Sequence, residues 1–281
     1  MSDTFPPVCL SIGASDCTGA AGVQADCKTF ISLGCYGTSV VTVLSARGLA
    51  GVQELHQVPE KFIRQQLDAI AGSLPIAAVK VGFMTSASAI RCVGRWLRER
   101  QRLPVVVDPV ATDSRGIALL QPEALQAMHD ELLPRAAVIT PNRFEAALLT
   151  QVEECLSVED MQEAARSLHR RHGCSTLVTG GILDGRSLDV LAGIDGINRY
   201  DAEWCPRGKV HGVGSAHSAA IAAGLARGDS LREAVLHAKL YISSAITAAP
   251  CLDDGAGIIW HGAGGGPDWA RPKTDRFLAR K

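Results

Sequence analysis

The stretch "HGVGSAHSAA" places two glycines and a serine directly before an alanine-rich run. Glycine accepts backbone angles closed to other residues, so Gly212 and Gly214, on either side of Val213, can turn successive N–H groups towards one point. Ser215 opens a predicted helix over residues 215–227, and the amides and dipole at a helix start favour negative charge. The stretch therefore predicts an anion pocket that stabilises charge on a transferred phosphoryl group. Close helix packing through small residues is the alternative, and it explains the alanines but not the glycines.

Two aspartates follow apolar runs at points where a ligand can be reached. The first run leads into "GASDCTGAAGVQAD", where small residues from Gly13 onward let the backbone approach a ligand and Asp26 lies about one turn inside the next helix. The second run leads into Asp108 of "VVVDPV", where a carboxylate can hold Mg²⁺ or its water near phosphates. An ordinary capping aspartate is the alternative at both places.

Two further segments carry polar groups just after apolar runs. In "VITPNRFEAALL", Asn142 can open a helix and Glu145 follows three residues later, so both side chains can point at the helix entrance and serve a metal ion's water. The same N-x-x-E spacing is that of a capping box, which is the alternative. In "TLVTGG", Thr179 and Gly180 end a predicted strand at a bend that either offers a hydroxyl and amides to a nucleotide or forms a plain tight turn.

Alternating strand and helix patterns position these residues. The predicted strands are near-continuous apolar runs, typical of a parallel sheet covered on both faces: "VCLSIG", "SVVTVLSA", "AAVKVGFM", "PVVVDPV", "AAVIT" and "STLVTGG". The predicted helices cover residues 22–33, 59–73, 85–101, 121–133, 142–150, 157–172, 215–227 and 230–248. A glycine-punctuated turn in "LDVLAGIDGINRYDAEW" predicts an antiparallel hairpin at the sheet edge. The predicted fold class is α/β, a doubly wound, mostly parallel sheet flanked by helices, which binds ligands beyond the carboxyl ends of its strands.

Composition limits the classes of protein to consider. With 281 residues, 47% of them hydrophobic, the chain can bury the core of one large domain, which we expect over residues 1–260, before a glycine-rich and then basic tail over 261–281. A net charge of −1 gives no bulk attraction to nucleic acid or to an anionic membrane. The apolar runs are too short for a membrane span and the first residues lack a secretory signal, so we expect a cytoplasmic protein. Nine scattered cysteines without a CxxC pair suggest neither a zinc site nor a disulfide framework.

Several of these segments occur together, and in this order, in one enzyme family. From about residue 9 to 248 the chain resembles the hydroxymethylpyrimidine/phosphomethylpyrimidine kinases of thiamine biosynthesis, within the ribokinase-like superfamily. The resemblance is carried by "GASDCTGAAGVQADCKTFISLGCYGTSVVTVLSA", "VKVGFM", "VVVDPV", "LLPRAAVITPNRFEA", "LVTGG" and "HGVGSAHSAAIAAGLARG". The first and last blocks together are specific to that family.

The resemblance implies a reaction and a site. The reaction would use ATP and Mg²⁺ and transfer the γ-phosphoryl group to the hydroxymethyl group, or to its existing phosphate, on a small aminopyrimidine substrate. The site would consist of pyrimidine-pocket residues Gly13 and Asp26, metal and phosphate residues Asp108, Asn142 and Glu145, nucleotide contacts at Thr179 and Gly180, and an anion hole over residues 212–215. Family members often assemble through sheet edges and helices, so the resemblance also implies a homodimer.

The chain departs from the family pattern within the expected pocket. Arg47 stands where a glutamine usually reads the pyrimidine edge by donating and accepting hydrogen bonds, whereas arginine only donates and adds charge. Phe83 replaces a methionine against the ring, and Thr179 stands where lysine is common. Ser215 occupies the position of a cysteine, and an unassisted serine is a much weaker base than a thiol with a pKa of about 8.5.

Three functional hypotheses follow. The leading one is ATP-dependent phosphorylation of hydroxymethylpyrimidine and/or its monophosphate, with Ser215 and the amides of residues 212–214 at the catalytic centre. An alternative is the same reaction on a different ring, that of a pyridoxal-type vitamer, and it is suggested by Arg47 and Phe83. A further alternative is a catalytically weak or inactive ligand-binding paralogue, which is suggested by Ser215.

Overall fold

Apolar runs of the sequence form the strands of a central sheet in the computed structural model, which describes residues 5–49, 51–205, 210–251 and 255–264. The strands are Val8–Asp16 (β1), Tyr36–Gly48 (β2), Gly51–Gln57 (β3), Ile76–Val81 (β4), Val105–Val107 (β5), Val138–Ile139 (β6), Ser175–Leu183 (β7), Arg186–Gly193 (β8), Gly196–Glu203 (β9), Val210–His211 (β10) and Gly257–Ile258 (β11). The first nine strands belong to one sheet, and β10 pairs with β11 beside it.

Helices occupy the segments between most strands, as the alternating pattern predicts. They are Gly22–Ser32 (α1), Glu60–Ala71 (α2), Ala87–Arg98 (α3), Pro122–Glu131 (α4), Arg143–Thr150 (α5), Val158–His172 (α6), Val213–Ala226 (α7) and Leu231–Thr247 (α8). Short 3₁₀ helices follow at Leu133–Arg135 and His261–Gly264. Among the helices so described, none is both long and apolar enough to cross a membrane.

The sheet is doubly wound, which confirms the predicted fold class. Its strand order is β3-β2-β1-β4-β5-β6-β7-β8-β9, and the pairs from β2 to β7 are parallel. Val105 and Val107 of β5 pack in an apolar cluster with α2, α3 and α4, while Val106 between them packs in a cluster with α7 and α8. Successive side chains of a strand point to opposite faces, so helices cover both faces of the sheet.

Antiparallel strands close both edges, whereas the sequence predicts only one such edge. The predicted hairpin is β8 and β9, joined by a turn at Gly193 and Gly196. At the opposite edge, β3 pairs antiparallel with β2, a strand that the sequence analysis does not predict. Every residue of β3 is exposed, so its sequence, "GVQELHQ", lacks the buried alternation by which a strand is recognised.

Two predicted boundaries differ in the structure: the end of the first strand and the start of the C-terminal tail. The first strand does not stop at Gly13, because β1 continues to Asp16 beside β2 after a register shift between Gly13 and Ala14. At the other end of the chain, the start of the predicted tail is packed: His261 is buried, and its Nδ1 lies 3.1 Å from the Thr29 hydroxyl of α1. Residues 265–281 of that tail lie outside the described residues.

Candidate functional site

Two cavities adjoin at the carboxyl ends of the parallel strands, where a doubly wound sheet binds its ligands. One, here called the acidic cavity, has a volume of about 450 Å³ and is lined by the carboxylates of Asp16, Asp26, Asp108 and Glu145. The other, here called the α8 cavity, has a volume of about 440 Å³ and is lined on one side by Lys239, Ile242, Ser243 and Ile246 of α8. Both volumes suit small ligands. The two cavities share Asn142, Thr179 and Gly214.

The predicted site residues all line these two cavities, although they come from distant parts of the chain. In the acidic cavity are Gly13, Asp26, Arg47, Phe83, Asp108, Glu145, Gly212 and Ser215. In the α8 cavity are Gly180 and Val213, and the shared residues are Asn142, Thr179 and Gly214. The placement brings the residues together, and the roles given to them above stay predictions.

Lys80, which the sequence analysis does not single out, lines the acidic cavity. Val79 and Val81 of β4 point towards α2 and α3, so Lys80 between them points to the opposite face, towards α1 and α7. It is only 2% exposed, and its Nζ donates to both carboxylate oxygens of Asp26, at 3.0 and 2.9 Å. The sequence does contain an indication of this ion pair: a lysine stands inside the apolar run "AAVKVGFM", and a buried ammonium needs a partner.

Asp26 of α1 collects hydrogen bonds from three elements. Besides Lys80, the Ser11 hydroxyl of β1 donates to its Oδ2 at 2.6 Å, and the Ser215 hydroxyl of α7 donates to its Oδ1 at 3.1 Å. Lys80 Nζ in turn donates to Ser215 Oγ at 3.3 Å. The carboxylate is therefore held as an acceptor at the point where β1, β4 and α7 meet.

Two further carboxylates are buried on the same side of the sheet. Burial raises the pKa of Asp108 to about 6, although Lys80 and the Ser218 hydroxyl oppose the rise. Burial also raises the pKa of Glu145 to about 8, and the nearby charge of Asp108 adds to the rise. Lys80 Nζ lies 3.9 Å from Asp108 Oδ2, so one ammonium faces several acidic groups. Even with Arg47, which also lines it, the cavity has more acidic than basic side chains and is short of positive charge.

Asn142 and Glu145 form a capping box at the start of α5. Asn142 Oδ1 accepts from the Phe144 and Glu145 amides at 2.9 and 3.0 Å, and Glu145 Oε2 accepts from the Asn142 amide at 3.0 Å. The Ala111 amide donates to the second oxygen, Oε1, at 3.0 Å. The capping alternative is thus present in the structure. Carboxylate oxygens have further lone pairs, so capping and a role towards a metal ion do not exclude each other.

Gly212 and Gly214 differ in backbone geometry, which corrects the equal conformational role expected of them. Gly212 has a φ of +94°, and a Cβ there would overlap the backbone carbonyl oxygen of Ala20. Gly214 lies within α7, and a Cβ there would meet open space. Gly212 is therefore needed for the backbone turn, whereas Gly214 keeps the junction of the two cavities clear. Among the residues that the structure describes, no side chain caps the start of α7, so its first amides can donate to an anion.

The α8 cavity contains a second buried ion pair. Lys239 Nζ donates to Asp189 Oδ2 and to the Ser187 hydroxyl, both at 2.8 Å. The His217 ring of α7 also lines this cavity, and its Nε2 has no hydrogen-bond partner among the described residues. Burial lowers the pKa of His217, which favours the neutral imidazole.

Thr179 and Gly180 do not end their strand, contrary to the prediction. Gly180 has a φ of +85°, and between Val178 and Gly181 the strand β7 contains one residue more than its partner β8. This insertion is a β-bulge, and the Gly180 amide turns to Asp189 Oδ1 at 3.2 Å. The bulge, and not a strand end, directs Thr179 towards both cavities.

Comparison with known proteins identifies the family of the chain. The family model described as phosphomethylpyrimidine kinase matches residues 16–260. The hydroxymethylpyrimidine/phosphomethylpyrimidine kinase of Rhizobium meliloti is 41% identical over 251 residues, which cover 89% of this chain and 94% of that protein. The chain belongs to the phosphomethylpyrimidine kinase family.

Two further proteins are similar to this chain. The thiamine biosynthesis bifunctional protein ThiED of Geobacter sulfurreducens is 40% identical over 253 residues, which are 90% of this chain but only 51% of that protein. The chain thus spans about half the length of this bifunctional relative. The ADP complex of Bacillus subtilis pyridoxal kinase has a TM-score of 0.84 and 33% identity, covering 92% of this chain and 98% of that one. It bears out the ribokinase-like expectation for the fold.

Arg47 adds a guanidinium group to the lining of the acidic cavity. The nearest carboxylate oxygen to Arg47 is Asp16 Oδ2 at 3.9 Å, and that aspartate already accepts bonds from Thr18 and Ala21. Arg47 Nε is buried and has no hydrogen-bond partner within the described residues. The guanidinium therefore has donors to spare for a ligand in the acidic cavity, which Phe83 lines as well.

Proposed function

We propose that this protein catalyses ATP-dependent phosphorylation of hydroxymethylpyrimidine, of its monophosphate, or of both. Membership of the phosphomethylpyrimidine kinase family supports the reaction. The observation that carries the proposal is the junction of the two cavities at the start of α7, with Gly214 in both. A ring bound in the acidic cavity and a nucleotide bound in the α8 cavity would then meet beside the free amides of one helix.

Each group at this junction has a task in such a transfer. The first amides of α7 stabilise the negative charge on the moving phosphoryl group, since they point there before the reaction begins. Asp26 lies next to Ser215 where the ring's hydroxyl would bind, and Lys80 holds the Asp26 carboxylate in orientation. Phe83 packs against the ring, and Thr179 lies at the boundary of the two cavities, within reach of the nucleotide's phosphates.

The acidic residues fit a magnesium ion that is completed by phosphate oxygens. In the part of the chain that the structure describes, no group of three or more His, Cys, Asp or Glu side chains could hold a metal by itself. Mg²⁺ commonly takes only one or two protein carboxylates and fills its sphere with waters and phosphates. Asp108 and Glu145, whose raised pKa values reflect uncompensated buried charge, would hold it directly or through water, with Asn142 beside them. Such an ion would neutralise the phosphates.

A coupled ADP-release assay tests the proposal. Purified protein is incubated with ATP and magnesium and with hydroxymethylpyrimidine, its monophosphate or pyridoxal. We expect turnover of a pyrimidine, and a loss of that turnover in Asp26→Asn but not in Ser73→Ala, which alters an exposed serine far from the cavities. Ligand-induced thermal stabilisation without ADP release would instead identify a binding protein, and no response to any ring would contradict the family function for this chain.

A pyridoxal-type ring is the second candidate, and Arg47 favours it. The pyrimidine edge presents an amine donor beside a ring acceptor, which a glutamine can match and a donor-only guanidinium cannot. A pyridoxal-type ring presents an oxygen acceptor, and the B. subtilis structure of high similarity is a pyridoxal kinase. Arg47→Gln is expected to raise kcat/KM for the pyrimidine relative to pyridoxal about tenfold, the effect of one hydrogen bond to a charged group. An unchanged ratio would show that Arg47 does not select the ring.

The homodimer and the cytoplasmic location expected from the sequence stay predictions. Light scattering coupled to size exclusion would test the first, and fractionation of cells would test the second.

A further inference from the structure

Ser215 is tied to two charged groups, which distinguishes it from an isolated serine. Its hydroxyl donates to Asp26 Oδ1 at 3.1 Å and accepts from Lys80 Nζ at 3.3 Å. A hydroxyl has one proton and two lone pairs, so one lone pair of Oγ stays available. Ser215 also lines the acidic cavity, where that lone pair can face a bound ring.

Asp26 is placed to receive the proton that Ser215 already directs at it. Its two oxygens accept from Ser11 at 2.6 Å and from Lys80 at 3.0 and 2.9 Å, so the carboxylate is fixed in orientation at 1% exposure. Lys80 is fixed in the same way, because it bridges the carboxylate and Ser215. The three side chains come from α1, β4 and α7, three elements packed in the core.

We propose that Ser215 and Asp26 form a proton relay for the substrate hydroxyl, with Lys80 as the residue that positions both. The relay rests on the proposed function and supplies the base that a lone serine lacks. The substrate oxygen bonds to the γ-phosphorus as the bond from that phosphorus to the bridging oxygen breaks, and ADP leaves with the electron pair. The hydroxyl proton moves to Ser215 Oγ while the serine's own proton moves to Asp26 Oδ1. Serine ends unchanged, and Asp26 loses its proton to water after the product leaves.

The relay has a consequence that a purely structural role for Ser215 does not share. An alcohol must lose a proton when it is phosphorylated, whereas a phosphate monoester above its second pKa, about 6, has no proton on the attacking oxygens. At pH 8 the relay is therefore required for hydroxymethylpyrimidine and not for its monophosphate. Removing the serine hydroxyl should separate the two reactions.

The test compares Ser215→Ala with the wild type on both substrates at pH 8, after thermal unfolding has shown that the variant is folded. We expect kcat for the alcohol to fall about 100-fold, the effect of losing a general base, with little change in its KM. We expect kcat for the monophosphate to change less than about fivefold. Asp26→Glu, which keeps a carboxylate, should retain part of the alcohol activity, and Asp26→Asn should not.

Three results would overturn the relay. An equal fall for both substrates would make Ser215 a structural or phosphate-binding residue. Full alcohol activity in Ser215→Ala would remove the serine from the proton path. Wild-type turnover of the monophosphate alone would leave no hydroxyl proton to move. Turnover of neither pyrimidine by the wild type would be a failure of the proposed function itself, and the relay would fall with it.

Discussion

Lys80 and Lys239 are both buried beside an aspartate, yet their surroundings differ. Lys239 lies 2.8 Å from Asp189, whose other oxygen accepts from the Gly180 amide, and its ammonium also donates to Ser187. That pair joins α8 to β8 and fixes the bulge of β7. Lys80 lies 2.9 Å from Asp26, but Asp108 is 3.9 Å away as well and Ser215 is within reach.

The contrast suggests a way to distinguish a structural ion pair from the pair at the proposed reactive centre. Burial and distance are nearly the same in the two pairs, so neither quantity identifies the site. The difference is the unbalanced charge: one lysine faces Asp26 and Asp108 beside an open cavity, while the other is matched by one aspartate. Unpaired acidity beside a cavity is what binds cations and moves protons.

Removal of the Lys80 ammonium should have the largest effect. In Lys80→Met we expect the free energy of unfolding to fall by about 3–5 kcal/mol, because Asp26 is left buried without its partner. Alcohol phosphorylation should fall at least about 100-fold in the same variant. Urea denaturation measures the first and ADP release the second.

The double variant Lys80→Met, Asp26→Asn separates the two effects. We expect it to regain most of the lost stability, since the uncompensated charge is gone, while activity stays lost. Recovery of activity together with stability would mean that neither Lys80 nor Asp26 takes part in the chemistry and that both only support the fold.

The equivalent change at Lys239 should affect stability more than chemistry. Lys239→Met leaves Asp189 unpaired and is expected to cost about 3–5 kcal/mol of unfolding free energy. In the double variant Lys239→Met, Asp189→Asn we expect the stability and kcat of the wild type. Only the KM for ATP should rise, because Lys239 lines the α8 cavity. If this double variant is stable but has a kcat as low as that of Lys80→Met, Asp26→Asn, the two ion pairs do not differ in their role in catalysis.

The sequence predicted the framework of the site better than its chemistry. Asp108 and Asn142 follow strands with clear apolar runs, and Asp26 lies in the first turns of the helix after such a strand, so their meeting at one edge of the sheet follows from topology. The apolar pattern that predicts β4 does not reveal the role of Lys80, because its partner Asp26 comes from another element of the fold. The pattern also does not predict the edge strand β3, because β3 is exposed along its length, and it does not distinguish the bulge at Gly180 from a strand end, because a positive φ interrupts the strand pattern in both cases.

The substitution Glu145→Gln should have the smallest effect, because it removes a single titrating group from the acidic cavity. Its pKa is raised from 4.5 in the unfolded chain to about 8 by burial, and by Asp108 in addition. The folded protein therefore holds this proton more tightly than the unfolded chain does. The resulting contribution to stability is complete below about pH 4.5 and is lost as the pH rises towards 8. Gln carries no titrating group, so in Glu145→Gln that loss is absent.

Urea unfolding of the wild type and Glu145→Gln from pH 5 to 8, with a chelator present, measures the difference. We expect it to shift in favour of the variant by more than about 1.4 kcal/mol, the equivalent of one pKa unit. Asp108 titrates in both proteins, so the difference between them reports Glu145 together with its interaction with Asp108. Added magnesium should reverse the shift at pH 8, because the ion stabilises the ionised wild-type carboxylate and has less to bind in the variant. A difference that does not depend on pH would show that Glu145 is ionised throughout and that the cavity is not short of positive charge.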